Sequence, residues 1–343
     1  MENKRSLLSI TFMTPFLWFS SFMVMLVGCT AKKAYAPSCP DIYALITEKD
    51  LVPEGTAYDQ ETGQVFISSM YKRKVIAVRK DGSYYDFILE GQDGIWATLG
   101  MAVEPKTRRL YVLSSKGDQG IVTRLKIDDG SWASRLYCYD ISSRALIKIY
   151  DVKQKWKGTF CFNDLTLSDR GEVFITESIS NRIFILPAGE DSLDVFLAPK
   201  GYHFLNGLAF NTIGSKLYVS SSEGLMVVDM KSRDYGSINY PSAVDPAPVD
   251  GLTFYRQSLI GHQSKILTRF FLTDDGIRIT NNQVIDSTGL DGSTTGELGL
   301  DGWYYYIGNS QIRSGIDYSS RQIMPYDSLE PIQIKRVRLE GAR

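Results

Sequence analysis

The sequence predicts an all-β chain folded as a six-bladed β-propeller with four-stranded blades. Three observations predict it: a motif that recurs in phase six times, turn signals that divide each repeat into short strand-like runs, and a composition in which Gly, Tyr and Phe are abundant while Ala and Glu are not prominent. The first repeat is Glu54-Gly55-Thr56-Ala57-Tyr58 leading into Val65-Phe66-Ile67-Ser68-Ser69, and the second is Leu99-Gly100-Met101 leading into Leu110-Tyr111-Val112. Asn163-Asp164-Leu165 before Val173-Phe174-Ile175, Asn206-Gly207-Leu208 before Leu217-Tyr218-Val219, and Asp250-Gly251-Leu252 before Leu259-Ile260 follow. Leu298-Gly299-Leu300 before Trp303-Tyr304-Tyr305-Tyr306-Ile307 is the sixth and weakest copy.

With the Gly, or Asp164 in its place, as marker, successive copies lie 45, 64, 43, 44 and 48 residues apart. That is the period of a propeller blade, roughly 40 to 50 residues, with an insertion between about Asp118 and Trp132 in the long step. Two further strand-like runs follow each pair, as in Lys74 to Val78 and Tyr84 to Leu89, split by turns such as Lys80-Asp81-Gly82. A sandwich would show frequent turns but no phased motif of this length. Ring closure needs strands from both chain ends, for which Ile332 to Leu339 and Ile42 to Ile46 are the candidates. Trp303 and the tyrosines after it read as sheet core.

A chain of 343 residues that is 43% hydrophobic can bury roughly three quarters of its unfolded surface, which excludes disorder as the main state. A formal charge of −1 excludes a nucleic-acid binder that relies on a broad basic field. Lys4 and Arg5 precede an uncharged run from Ser6 to Gly28, 23 residues ending in Leu26-Val27-Gly28-Cys29. This pattern reads as a signal peptide over residues 1–28 with a lipobox, Cys29 carrying the lipid. The same length would also suit an uncleaved membrane anchor. Either way a short tether over 29–39 leads to a propeller domain over 40–343 outside the cytoplasm, facing the periplasm or the cell exterior. Cys39, Cys138 and Cys161 then remain, without a CxxC pair to suggest zinc or redox chemistry. Neither a Gly-x-Ser-x-Gly elbow nor a phosphate-binding loop occurs.

The first strand of each blade lines the propeller channel, so the residue before it sits at the channel mouth. Those residues are Glu54, Leu99, Asn163, Asn206, Asp250 and Leu298. Four offer oxygen, and two carboxylates with two amide carbonyls form an all-oxygen set of charge −2. Such a set suits calcium first, then magnesium or manganese, with zinc less favoured. Asn-Gly and Asp-Gly are also common turn dipeptides, but Glu54 is a poor turn residue and keeps the same phase.

Pro53-Glu54-Gly55, Phe162-Asn163-Asp164, Leu205-Asn206-Gly207 and Val249-Asp250-Gly251 together resemble the superfamily of senescence marker protein (regucalcin), gluconolactonase and luciferin-regenerating enzyme. The resemblance spans about Pro53 to Gly261. It implies that Glu54, Asn163, Asn206 and Asp250 are the ligands of one divalent metal ion, that Asp250 is also the catalytic acid/base, and that the chain is a hydrolase of a small lactone or ester. Cys161 stands where sugar-lactonase members commonly carry Arg, which departs from sugar-acid recognition. No histidine precedes His203, which excludes the histidine pair of paraoxonases.

Around this set, Tyr202 and His203 are candidate substrate contacts in the loop before Asn206, and Trp96 and Tyr71 are candidate pocket walls. Asp164 is a candidate for orienting a ligand amide. A non-catalytic propeller lipoprotein with a structural metal is the competing expectation, and an isomerase or condensing activity of the strictosidine-synthase type has no residue in its favour. The export reading makes its own prediction: C29S leaves a precursor that takes up no fatty-acid probe. Persistent labelling of that variant would sink it.

Overall fold

A computed structural model describes residues 37–117, 122–124, 132–246 and 248–340. The expected signal segment, Cys29, most of the tether and most of the expected insertion lie outside the described residues. Six four-stranded antiparallel sheets are arranged as a six-bladed β-propeller. From the axis outward, the first blade is Pro53–Tyr58, Val65–Ser69, Lys74–Val78 and Tyr84–Ile88, and the second is Ala97–Glu104, Arg109–Lys116, Ala133–Asp140 and Leu146–Asp151. The third is Phe162–Leu167, Val173–Glu177, Arg182–Leu186 and Asp194–Leu197, and the fourth is Leu208–Phe210, Lys216–Ser221, Gly224–Asp229 and Tyr235–Ser237. Leu252–Phe254, Ser258–His262, Leu267–Leu272 and Ile279–Asp286 make the fifth. Among the described residues there is no α-helix, only three single-turn 3₁₀ segments.

The sixth blade is built from both ends of the chain. Gly296–Leu298, Trp303–Ile307 and Ile332–Arg338 supply its inner three strands, and Asp41–Ile46 is its outer strand, with Ile42 opposite Lys335 and Ile46 opposite Ile332. Both candidate closing segments thus enter one sheet as each other's partner. That pairing removes the free edges a propeller would otherwise leave at its seam.

Strand alternation explains why the middle strands are apolar without interruption. Each sheet is covered on both faces by neighbouring blades, so both sets of alternate residues are core. Phe66 and Ala77 pack with Met101, Val112 and Tyr137 of the second blade, whereas Val65, Ile67 and Ile76 pack with Tyr305, Ile307 and Ile334 of the sixth. The tyrosine run divides the same way: Tyr304 and Tyr306 face Ile260 and Leu267 of the fifth blade, and Tyr305 faces Tyr58 of the first. Full burial of each such side chain contributes about 1.5 to 3 kcal/mol, and the contribution is made between blades rather than within one.

Close to the axis the packing is tighter. Gly55, Gly100, Gly207 and Gly251 are absent from the positive-φ residues, so they are not turn glycines. A Cβ on Gly55 would lie 2.2 Å from Leu99 O, on Gly100 2.9 Å from Asn163 O, on Gly207 2.4 Å from Asp250 O and on Gly251 2.5 Å from Thr294 O. Each glycine therefore lets its strand touch the mouth residue of the next blade. Gly207 N donates to Asp250 O at 2.9 Å and Gly251 N to Thr294 O at 2.7 Å, closing part of that ring with backbone bonds.

Register and these contacts correct the sixth repeat. Gly296 lies opposite Tyr306 as Leu252 lies opposite Gly261, so the mouth residue of the last blade is Thr294 and not Leu298. Leu298 and Gly299 sit four residues further on, at the turn where Gly299 N bonds Trp303 O. The glycine there marks a hairpin and only mimics the phased motif.

The ring predicts that G207A and G251A, each forcing a Cβ against backbone, lose about 1 to 3 kcal/mol of stability. G236A is the control, because nothing lies within 4 Å of its added methyl. Equal denaturation midpoints for all three variants would remove close approach as the reason for these glycines.

Candidate functional site

The first three inner strands carry a register break at the phased pair: between Pro53 and Thr56, between Thr98 and Met101, and between Phe162 and Leu165. An extra residue in one strand re-aims its side chain, and here it turns Glu54, Leu99 and Asn163 out of the pairing plane. Hydroxyls from neighbouring strands then fix the backbone of this rim. Ser68 Oγ accepts from Gly55 N at 2.7 Å, Thr294 Oγ1 donates to Glu54 O at 2.7 Å, and Thr176 Oγ1 donates to Asn206 O at 2.7 Å.

Glu54, Asp250 and Asn206 are brought together on this rim. The Asn206 amide acts on the Asp250 carboxylate and favours its ionised form, and the charges of Asp250 and Asp164 both act on Glu54. Asn163 donates Nδ2 to Ser178 Oγ at 3.0 Å, which commits its nitrogen to the wall and leaves its carbonyl oxygen unbonded. Glu54 is only 8% exposed, and its Oε2 has no hydrogen-bond partner. Among the described residues no three His, Cys, Asp or Glu side chains form a metal-binding group. Glu54 and Asp250 supply the carboxylate oxygens of this rim, and Asn163 and Asn206 its amide oxygens.

Burial followed by the neighbouring carboxylates pushes the Glu54 carboxyl well above its ordinary range. Burial raises Asp250 to about 6, against the Asn206 hydrogen bond and the Arg313 charge, which favour its ionised form. Cys161, between Glu177 and Glu54, is held as a neutral thiol, pushed up to about 12 chiefly by burial. It is therefore a poor nucleophile.

Below the rim, Thr56, Asp164, Thr253, Thr295 and Glu297 are among the residues lining a channel cavity of about 240 Å³. Burial raises both Asp164 and Glu297 to about 7. Asp164 Oδ1 accepts from its neighbour Leu165 N at 2.8 Å, and its backbone N–H donates to Thr176 Oγ1 at 3.2 Å, so it faces the channel from directly beside Asn163.

The other expected contacts are distributed unevenly. Tyr202 packs edge-on against Tyr235 and shares a hydrogen bond with Ser237, on the outer part of the fourth blade. His203 Nδ1 lies 2.7 Å from Glu223 Oε1 on an exposed loop. Phe204, next in sequence, is the residue of this loop that lines a cleft of about 150 Å³ with Asn206, Asp250, His262 and Arg313. Its φ of 50° is in the left-handed region, and it is 57% exposed. Trp96 has Arg135 over its ring at 4.2 Å and Lys116 at 5.1 Å. Tyr71 packs with Cys161, Trp132 and Ile312 in an apolar cluster over the same face.

His262 is fully buried, with Nδ1 2.9 Å from Ser293 Oγ and Nε2 2.8 Å from Tyr304 OH, and burial lowers it to about 3, so the ring is neutral. Its backbone brackets the site residue: Asp250 N donates to His262 O, and His262 N donates to Gly251 O.

These shifts fix a sign. Carboxyls raised in the fold stay protonated there while the unfolded chain ionises, so their stabilising contribution is present below about pH 4 and lost as pH rises through 6 to 7. His262 acts oppositely below about pH 6.5, but it is one group against Glu54, Asp164, Asp250 and Glu297. Chelator-treated protein is expected to melt at lower temperature near pH 7.5 than near pH 5.5, and D164N/E297Q to flatten that slope. A melting temperature that climbs across the window in the parent would contradict these assignments.

No protein-family model and no curated protein sequence matches the chain. Among solved structures it is similar to a gluconolactonase from Xanthomonas campestris (TM-score 0.61, 14% identity, 89% of this chain and 96% of that one). It is also similar to the calcium-binding protein regucalcin from Agrobacterium tumefaciens (0.58, 14%, 87% and 95%) and to a luciferin-regenerating enzyme (0.59, 14%, 88% and 95%). These neighbours belong to the superfamily that the phased motifs resemble, and at such identities the likeness is one of fold.

Proposed function

We propose that the chain is a divalent-metal-dependent hydrolase of a small lactone or related ester, with calcium as the favoured ion and Glu54, Asn163, Asn206 and Asp250 as its ligands. The observation that carries this is the buried, unpartnered Glu54 carboxylate oxygen beside Asp250. Two carboxylates brought together away from water are costly unless a proton or a cation neutralises them. The donor set is all oxygen, which is the chemistry a hard dication selects.

A bound dication would polarise a carbonyl and acidify water, which an aspartate alone cannot deprotonate: bulk water has a pKa near 15.7 against about 3.9 for free Asp. The chain's own residues do the rest. Asp250 takes the proton from attacking water and returns it to the leaving alkoxide as the acyl C–O bond breaks, giving a hydroxy acid. The Asn206 amide favours the ionised form of the Asp250 carboxylate, the form that accepts the proton. The peptide of His262 fixes the Asp250 backbone from behind. Phe204 supplies an apolar wall that keeps water off the reacting group on one side. Export and attachment to a membrane through Cys29 remain part of the proposal and place the activity outside the cytoplasm.

Calorimetric titration of calcium, magnesium and manganese into the protein tests the ligand set. E54Q and D250N should each weaken binding at least about tenfold, whereas N163A or N206A removes only a neutral dipole and costs less. Residues that share one ion are non-additive, so the double variant should lose little beyond the worse single change. Lactone hydrolysis should stop with chelator and return with the ion. Parent affinity in both carboxylate variants would end the metal site, and an ion-loaded protein that turns over no lactone or ester would leave a binding platform in place of an enzyme.

A further inference from the structure

In every blade the second strand returns to the mouth face, because Ser69 lies opposite Pro53 and Glu177 opposite Phe162. The connection from second to third strand therefore crosses over the site. It is short in the first, third, fourth and fifth blades and long in the sixth, where residues 308–331 intervene and form a small hairpin, Ile316–Asp317 with Gln322–Ile323. Ile312, Ile316 and Ile323 of this strap pack with Tyr71, Trp132 and Cys161 on the mouth face.

The strap carries Arg313 into the cleft that Asn206, Asp250 and Phe204 line. Its neighbours are pinned. The Gln311 amide nitrogen donates to Glu330 O at 2.9 Å and Lys49 O at 3.2 Å, Glu330 N donates back to Gln311 Oε1 at 2.8 Å, and Gln311 itself is held at φ 57°. Tyr318 OH donates to Ile312 O at 2.9 Å, and Ser314 hydrogen-bonds Asp291. Arg313 acts on the charge of Asp250 yet forms no direct ion pair with any described carboxylate. A strap held at so many points around an exposed, unpaired guanidinium is a presentation device.

Charge bookkeeping then selects a ligand, and this step rests on the metal reading above. A dication balances Glu54 and Asp250, which leaves Arg313 as the uncompensated charge at the cleft. We propose that Arg313 is an anion-recognition residue and that the substrate is a small lactone or ester bearing a carboxylate on the side away from the reacting carbonyl. A guanidinium fork matches a carboxylate with two parallel hydrogen bonds. Phe204 forms another wall of the same cleft, and about 150 Å³ suits one small ring with its substituent.

The test uses calcium-loaded protein and two probes that differ only in charge: a γ-butyrolactone with a ring carboxylate, and the primary amide of the same acid. The parent should favour the carboxylate in kcat/KM by at least roughly tenfold, the worth of one charge-assisted hydrogen bond. R313Q should bring the two probes within a few-fold of each other, and R313K should recover part of the preference. Calcium titration gives a readout that needs no turnover: removing a cation beside Asp250 should tighten calcium binding in R313Q, not weaken it. Equal handling of both probes by the parent, or a preference that survives in R313Q, overturns the proposal while leaving the lactonase intact. If neither probe is hydrolysed, calorimetric binding of the two to loaded protein decides: a charge preference lost in R313Q supports the recognition role, and its absence ends it.

Discussion

The crowding of six inner strands around one axis governs everything above it. Where Gly55, Gly100, Gly207 and Gly251 lie, a single methyl would strike the backbone of the next blade. The chain can meet that constraint with glycine, or with a side chain that replaces a backbone contact, as Thr295 does by donating to Glu54 O at 2.8 Å. The consequence is directional. With the glycine position spent on contact between blades, the residue before it is left at the rim, and six rims face one another across the mouth.

That geometry sets the electrostatics. Glu54 and Asp250 are distant in sequence, yet the ring holds them close enough for the Asp250 charge to disfavour the ionised form of Glu54. No lysine or arginine forms a direct ion pair with either among the described residues. By contrast, the buried Asp286 meets Lys335 at 2.5 Å and Tyr306 OH at 2.7 Å. The contrast separates a carboxylate used to staple the sixth blade from the Glu54 carboxylate, whose Oε2 is left without a partner at the rim.

What the sequence disclosed follows from where the constraint is repeated. A blade core and an axial contact recur in every repeat, so period, strand count and five of the six rim positions were readable as pattern. The sixth rim residue was not, because Thr294-Thr295 meets the axial constraint with hydroxyls while the hairpin glycine Gly299 offers a false marker four residues later. Phe204, Arg313 and Tyr318 were invisible for a different reason. They belong to connections that occur once, and no periodicity exists to expose them. Tyr202 and His203 stood out as chemistry-bearing residues near Asn206, but the loop's turn at Phe204 is what decides which side chain reaches the cleft. A non-glycine residue at positive φ carries no reliable sequence mark.

The same division bears on how such a site acquires its specificity. Residues on the ring answer to the packing of neighbouring blades, so a change there costs stability before it alters recognition. Residues on the strap answer only to the strap's own anchors, Gln311 and the isoleucines beneath the hairpin. The strap brings Arg313 to the cleft from the sixth blade, away from the inter-blade contacts at the axis. The rim carboxylates are thus fixed by the inner strands, and the guanidinium that lines the cleft beside them is carried by one connection above.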